Sequence, residues 1–207
     1  MINPAFIVDG FTERNIIQNI CPGAPIRRTD LNGKDVSVEA MAKKIASLIR
    51  LLNNRHYPII ILVDKESRNI SFKEMISKLE ASIRSEGINN LDFRVGVADR
   101  MLENWIIADW DKLKSKKAKP SNTDCINGCG KLKELIGSYG KTTDCVEMFL
   151  NADVKKIYKN SPSFKIFADK ISDINCDYIN KLEITTPSSI LPKAGRKWVQ
   201  KLLGSDK

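Results

Sequence analysis

Histidine is almost absent from this chain of 207 residues. The single one, His56, precedes an apolar, strand-like run and falls at its N-terminal end, opposite the carboxylates discussed below. That placement argues against Ser-His-Asp or Cys-His chemistry, which needs the imidazole beside the nucleophile. Long hydrophobic runs are missing too. The longest, Ile59 to Val63, falls far short of the ~18–20 residues of a membrane span, so no membrane association is expected. The opening Met1-Ile-Asn-Pro4 lacks a basic lead and an apolar stretch, so no secretory signal is expected either. Gly128, Gly130, Gly137 and Gly140 have no Gly-Lys-Ser/Thr ending, which disfavours an intrinsic ATPase. Five cysteines, an odd number without framework spacing, read as reduced thiols of a cytoplasmic protein. Cys125, Cys129, Cys145 and Cys176 contain no second tight pair that would make a zinc site. There is no internal repeat and no low-complexity tract.

What the chain does have is charge, unevenly spread. Residues 1–109 carry 15 Lys/Arg and 14 Asp/Glu, whereas residues 110–207 carry 19 and 11, which places +8 of the +9 net charge in the back half. Lys112, Lys114, Lys116, Lys117 and Lys119, closed by Pro120, are the densest basic stretch. They read either as a solvated linker or as contacts to nucleic-acid phosphates, which require only charge and reach. Trp198 among Lys193, Arg196, Lys197 and Lys201 reads as an inward-packed anchor with lysines outside, or as a stacking platform beside a basic face.

The front half alternates in period. Residues 5–9 and Tyr57–Val63 are continuous apolar runs of strand length, Phe93–Val97 alternates, and a weaker strand falls near Ala24–Thr29. Between them, helices are predicted over about 12–20 with Thr12 as cap, over Val36–Leu52, from the Ser71/Glu74 capping box to Gly87, and over Met101–Trp110. Strand and helix in strict alternation predict an α/β fold with a mostly parallel four-stranded sheet flanked by helices. Residues 1–113 form the expected core and 114–128 a polar loop. Residues 129–207 form an expected basic helical extension, with helices near 129–137, 142–151, 162–172 and 192–203.

Asp9 ends the first strand, with Glu13 in the next helical turn; Asp64 ends the third, with Glu66 two residues on. In an open parallel sheet these groups converge beyond the strand ends, where ligands bind. They read either as helix caps paired with Arg14, Lys65 or Arg68, or as hard oxygen ligands for Mg²⁺ or Mn²⁺. Two such ions suit phosphodiester cleavage.

Phe6-Ile-Val-Asp-Gly-Phe-Thr-Glu13 resembles the opening motif of Toprim domains, and Ile61-Leu-Val-Asp-Lys-Glu66 resembles their Asp-x-Asp motif. Val97 to Asp109, with Met101-Leu-Glu-Asn-Trp105, is similar to a third signature. It is found in small bacterial Toprim-like proteins related to the RloB-like and OLD-nuclease Toprim families. Lys131–Leu135, Tyr139-Gly-Lys-Thr142 and Ser161–Phe164 look like the same group. The resemblance implies a Toprim-like core that cuts DNA or RNA, transfer RNA included, with Mg²⁺ or Mn²⁺. It also implies an ABC-type ATPase partner from an anti-phage defence locus. Asp9, Glu13, Asp64, Glu66 and Glu103 match its metal-binding acids, with Asp9, Glu13 and Asp64 also catalytic. Asp109, six residues from Glu103, joins them only if the helix bends or ends between the two. Asp9 stands where the family usually has Glu, and Glu66 where it has Asp. A non-catalytic subunit that binds nucleic acid or regulates the ATPase is the alternative.

Overall fold

The computed structural model describes residues 3–31, 36–52 and 55–184. Four strands, β1 (Ala5–Val8), β2 (Ile26–Arg28), β3 (Ile59–Asp64) and β4 (Phe93–Ala98), form an all-parallel sheet in the order β2-β1-β3-β4. Every residue of β1, β3 and β4 is buried, which is why these segments read as unbroken apolar runs.

The crossovers are α1 (Phe11–Ile20), α2 (Val38–Leu51) and α3 (Phe72–Ser85). Ser37 and Ser71 cap α2 and α3 through backbone N–H groups three residues on. The expected cap of α1 shifts. The helix begins at Phe11 after an extended Gly10, and the Thr12 hydroxyl instead donates to the carbonyl of Lys141.

Side-chain alternation divides the core into two layers. Ala5, Ile7, Ile59, Ile61, Val63, Val95 and Val97 face α2 and α3, in a layer whose buried residues all come from the front half. Phe6, Val8, Ile60 and Leu62 face the other way, onto α1 and α4 (Glu103–Ala108). The same core contains Phe149, Phe164, Phe167, Tyr178 and their neighbours from the later helices. Those helices are α5 (Gly128–Ile136), α6 (Asp144–Asn151), α7 (Val154–Asn160), α8 (Pro162–Lys170) and α9 (Asp177–Asn180). The expected extension is therefore the second covering layer of the sheet. The loop expected at 114–128 has two limbs: the lysine segment is exposed, whereas Thr123 and Asp124 are buried. The Asp124 carboxylate accepts from the Ser161 hydroxyl at 2.7 Å and the Ser163 N–H at 2.9 Å, fixing the start of α8. The predicted helix near 192–203 lies outside the described residues, as do Lys193, Arg196, Lys197, Trp198 and Lys201.

One expectation is overturned: Cys21, just past α1, and Cys176, just before α9, form a disulfide. Partners 155 residues apart leave no local spacing to read. Cys125, Cys129 and Cys145 are free.

Gly96 of β4 lies beneath Phe167 of α8. A Cβ there would stand 2.4 Å from the ring, so the helix approaches this closely only because the strand has no side chain at that point. Gly96→Ala is expected to destabilise the protein by about 1–3 kcal/mol through overpacking, read as a lower urea midpoint. An unchanged midpoint would contradict this packing.

Candidate functional site

The connections fix where a ligand fits. From β1 the chain crosses to β2 on one side, while β3 leads through α3 to β4 on the other. The neighbouring strands β1 and β3 thus send their chains in opposite directions, opening a crevice at their C-terminal ends. Asp9 follows β1 and Asp64 is the last residue of β3, so both edges of that crevice carry an acid.

Two further carboxylates join them. Glu13 is buried in the first turn of α1, and its Oε2 accepts the Gly10 N–H at 3.0 Å. Glu103 opens α4 and is wholly buried, and neither of its carboxylate oxygens has a hydrogen-bond partner. Asp64 Oδ1 is likewise buried without a hydrogen-bond partner. Asp9 is the best satisfied, since the Thr29 hydroxyl donates to its Oδ1 at 2.7 Å.

Charge links Asp64 to the other three acids. Burial drives the Asp64 carboxyl well above the usual aspartate range; Glu13 and Glu103 push it further, Lys141 opposes them, and Asp9 adds to the rise. Burial also raises Glu13, against its backbone hydrogen bond and Lys141, with Asp9 adding to the rise. Asp9 is raised by burial, against the Thr29 hydrogen bond and the charges of Arg68 and Lys141. Buried carboxylates placed together resist ionising together unless a cation sits among them.

Lys141 is a charged residue near these acids that spacing arguments pass over. It lies in the turn before α6, more than a hundred residues from Glu13. The Thr12 hydroxyl docks its carbonyl onto α1 at 3.3 Å. Desolvation disfavours its charge, but Glu103, Asp64 and Glu13 hold its ammonium above the ordinary lysine value. The one local hint is the Tyr139-Gly-Lys-Thr142 stretch, whose role only the tertiary fold reveals.

The remaining candidates have other partners. Glu66 adopts a left-handed backbone (φ 56°) and pairs with Arg68 at 3.7 Å. Lys65 turns to Asp99 at 2.8 Å, with the Cys125 thiol at 3.5 Å from both groups. Asp109 is neither a cluster member nor a surface acid. α4 ends before it, and its buried carboxylate accepts the Asp153 N–H at 2.8 Å where α7 begins. Lys112, Lys114, Lys116 and Lys117 are exposed beyond the C-terminal end of α4, with Lys117 paired to Glu134.

As donors, these groups fit a hard divalent cation. They are all carboxylate oxygens, and three of the oxygens are buried without hydrogen bonds. Among the described residues, no group of three is already assembled around one point. Coordination therefore requires side-chain rotation, most obviously of Glu13 away from Gly10. No curated protein and no solved structure matches the chain. A family model does match, described as a domain of unknown function, DUF4276, over residues 8–172. That span includes Asp9, Glu13, Asp64, Glu103 and Lys141, and the chain belongs to this DUF4276 family.

Proposed function

We propose that the protein is a divalent-metal-dependent phosphodiesterase acting on nucleic acid, with Asp9, Glu13, Asp64 and Glu103 as its metal-binding acids. The observation that carries this reading is Glu103. A fully buried carboxylate with two unpartnered oxygens, beside Asp64 at a sheet switch point, is expensive unless a cation uses it. Bound Mg²⁺ or Mn²⁺ would polarise a phosphoryl oxygen and supply an acidified water. Asp64 and Glu103 are its principal holders, and Thr29 orients Asp9 toward the same crevice. Glu13, raised by burial, is suited to accept a proton from the attacking water once it leaves Gly10. Exposed Lys112, Lys114, Lys116 and Lys117 supply sequence-independent contact to the substrate backbone. The resemblance to Toprim-like defence proteins supports the same chemistry and adds an ABC-type ATPase as the partner that triggers it.

A second reading, a non-catalytic subunit that binds nucleic acid or regulates the ATPase, is favoured by the hydrogen bonds that already occupy Asp9 and Glu13. Incubation with plasmid DNA and with total RNA, in Mn²⁺, Mg²⁺ or EDTA, separates the two. Cleavage in the metal lanes is expected, lost by at least about 100-fold in Asp64→Ala and retained in Asp109→Asn. Binding of either nucleic acid without cleavage, with or without the ATPase, would establish the second reading.

A further inference from the structure

Phe11 belongs to neither layer of the core. It opens α1 two residues after Asp9, and 55% of it is exposed. The register of β2 explains its neighbour. Arg28 pairs with Val8, so its side chain leaves the sheet on the face that α1 covers, whereas exposed Arg27 leaves on the other. The Arg28 guanidinium carbon lies over the Phe11 ring, 3.5 Å from its centroid, and Asp30 holds that guanidinium at 3.2 Å. Backbone hydrogen bonds tie this pair to the crevice. Thr29 N–H donates to the Val8 carbonyl at 2.9 Å and Asp30 N–H to the Asp9 carbonyl at 3.3 Å, while the Thr29 hydroxyl holds Asp9 Oδ1. One face of the ring is thus covered by a cation, and more than half of the residue stays open beside the first acid of the cluster. Arg14, three residues on and therefore on the same side of α1, is exposed as well. A flat aromatic surface with positive charge around it suits the π-face of a base on an anionic strand.

We propose that the open side of Phe11 is a stacking platform for an unpaired nucleobase, so that the substrate is single-stranded where it meets the crevice. This rests on the reading of the chain as a phosphodiesterase acting on nucleic acid, and it names the substrate class. A base seated on Phe11 brings the adjoining phosphate to the Asp9 side of the crevice, and Arg14 offers its charge to the backbone that follows. A duplex keeps its bases paired within the stack and has none to offer the ring. Because every base has a π-face, the platform selects for strandedness and tolerates any sequence.

Fluorescence anisotropy in EDTA tests this by binding alone, without metal-dependent cleavage. The probes are a short labelled single strand as DNA and as RNA, the same strands with abasic sites, and the corresponding duplexes. Wild type should bind the intact single strands more tightly than the duplexes. Phe11→Ala should weaken binding of the intact single strand by about 5- to 100-fold, whereas Phe11→Tyr keeps the ring and should stay within a few-fold of wild type. Wild type should bind the abasic strand about as weakly as Phe11→Ala binds the intact one, and the abasic strand should not distinguish the two proteins. The strand that shows these losses, DNA or RNA, identifies the sugar. Should Phe11→Ala melt below wild type, the comparison of intact with abasic strands on the wild-type chain still decides. Equal binding of intact and abasic strands by wild type, or equal affinity of wild type and Phe11→Ala for the intact strand, overturns the platform. The phosphodiesterase reading then still stands on the Asp64→Ala cleavage assay. No binding of any probe by wild type overturns the nucleic-acid reading beneath the platform, so the two failures are distinct.

Discussion

Asp64→Asn is expected to melt above the wild-type protein in EDTA at pH 8 and to lose that advantage as the pH falls toward 4. Asp64 ends β3 with a buried, partnerless Oδ1, and burial together with Glu13 and Glu103 raises its carboxyl well above the usual value. The unfolded chain releases this proton near the ordinary aspartate value; the native chain releases it only at higher pH. Between the two values the native state binds more protons than the unfolded one, so stability falls as pH rises. Asparagine never ionises and escapes this loss. Its gain is therefore absent below the ordinary aspartate value and complete above the raised one. A removed buried charge of this kind is worth about 1–3 kcal/mol, or roughly 2–10 °C for a chain of this size. Glu13 and Asp9 are raised in the same direction, so wild-type stability itself should decline from mildly acidic to alkaline pH in the absence of metal. Melting curves of both proteins across that range check the sign. A variant less stable than wild type at pH 8 would mean that the Asp64 carboxylate is satisfied. Added Mn²⁺ should invert the ranking, because only the wild-type carboxylate gains a ligand.

Trp105→Ala is expected to remove about 3–5 kcal/mol, the largest loss of stability at any single position considered. The indole is 1% exposed. It stacks on Phe167 at 5.4 Å between ring centroids, meets Phe164 edge-on at 5.0 Å, and donates its N–H to the Ser163 hydroxyl at 2.9 Å. Truncation leaves a cavity at the seam between α4 and α8 and takes one hydrogen bond from the Ser163 hydroxyl, which keeps its contact to the Ser161 hydroxyl at 3.2 Å. Glu103 lies two residues away on the same short helix, so metal-dependent cleavage should fall along with stability. Trp105→Phe, which keeps most of the volume, should retain more of both. Urea denaturation of the two variants makes the test, and an alanine variant within 1 kcal/mol of wild type would contradict the packing.

The front half was legible because its elements are long enough to show a period. α2 and α3 each bury one apolar stripe, and β1, β3 and β4, buried on both faces, read as continuous runs. Ser71 and Ser161 announced their helices by local hydrogen bonding, which sequence displays directly. α7 and α9, with seven and four residues, are too short for periodicity to register. Asp9 and Asp64 were readable because a carboxylate at the end of an apolar strand has few structural explanations, and Glu13 because it falls in the first helical turn after one of them. Glu103 needed a motif resemblance, since a helix-opening acid is commonplace. Glu66 takes a left-handed backbone and pairs with Arg68, a conformation that no spacing rule foresees. Lys141 and the Cys21–Cys176 pair were invisible for one reason. Each joins segments remote in sequence through the layer that the late helices add to the sheet, and that layer appears only when the chain is folded.

The disulfide turns most of this chain into a covalent ring. Residues 21–176 form a closed circuit, with the segment carrying Asp9 and Glu13 leaving it at one sulfur and α9 at the other. The exposed lysine segment lies on the circuit, so a single backbone break there opens the ring without separating the pieces. Both halves of the crevice then remain parts of one molecule for as long as the bridge stays oxidised.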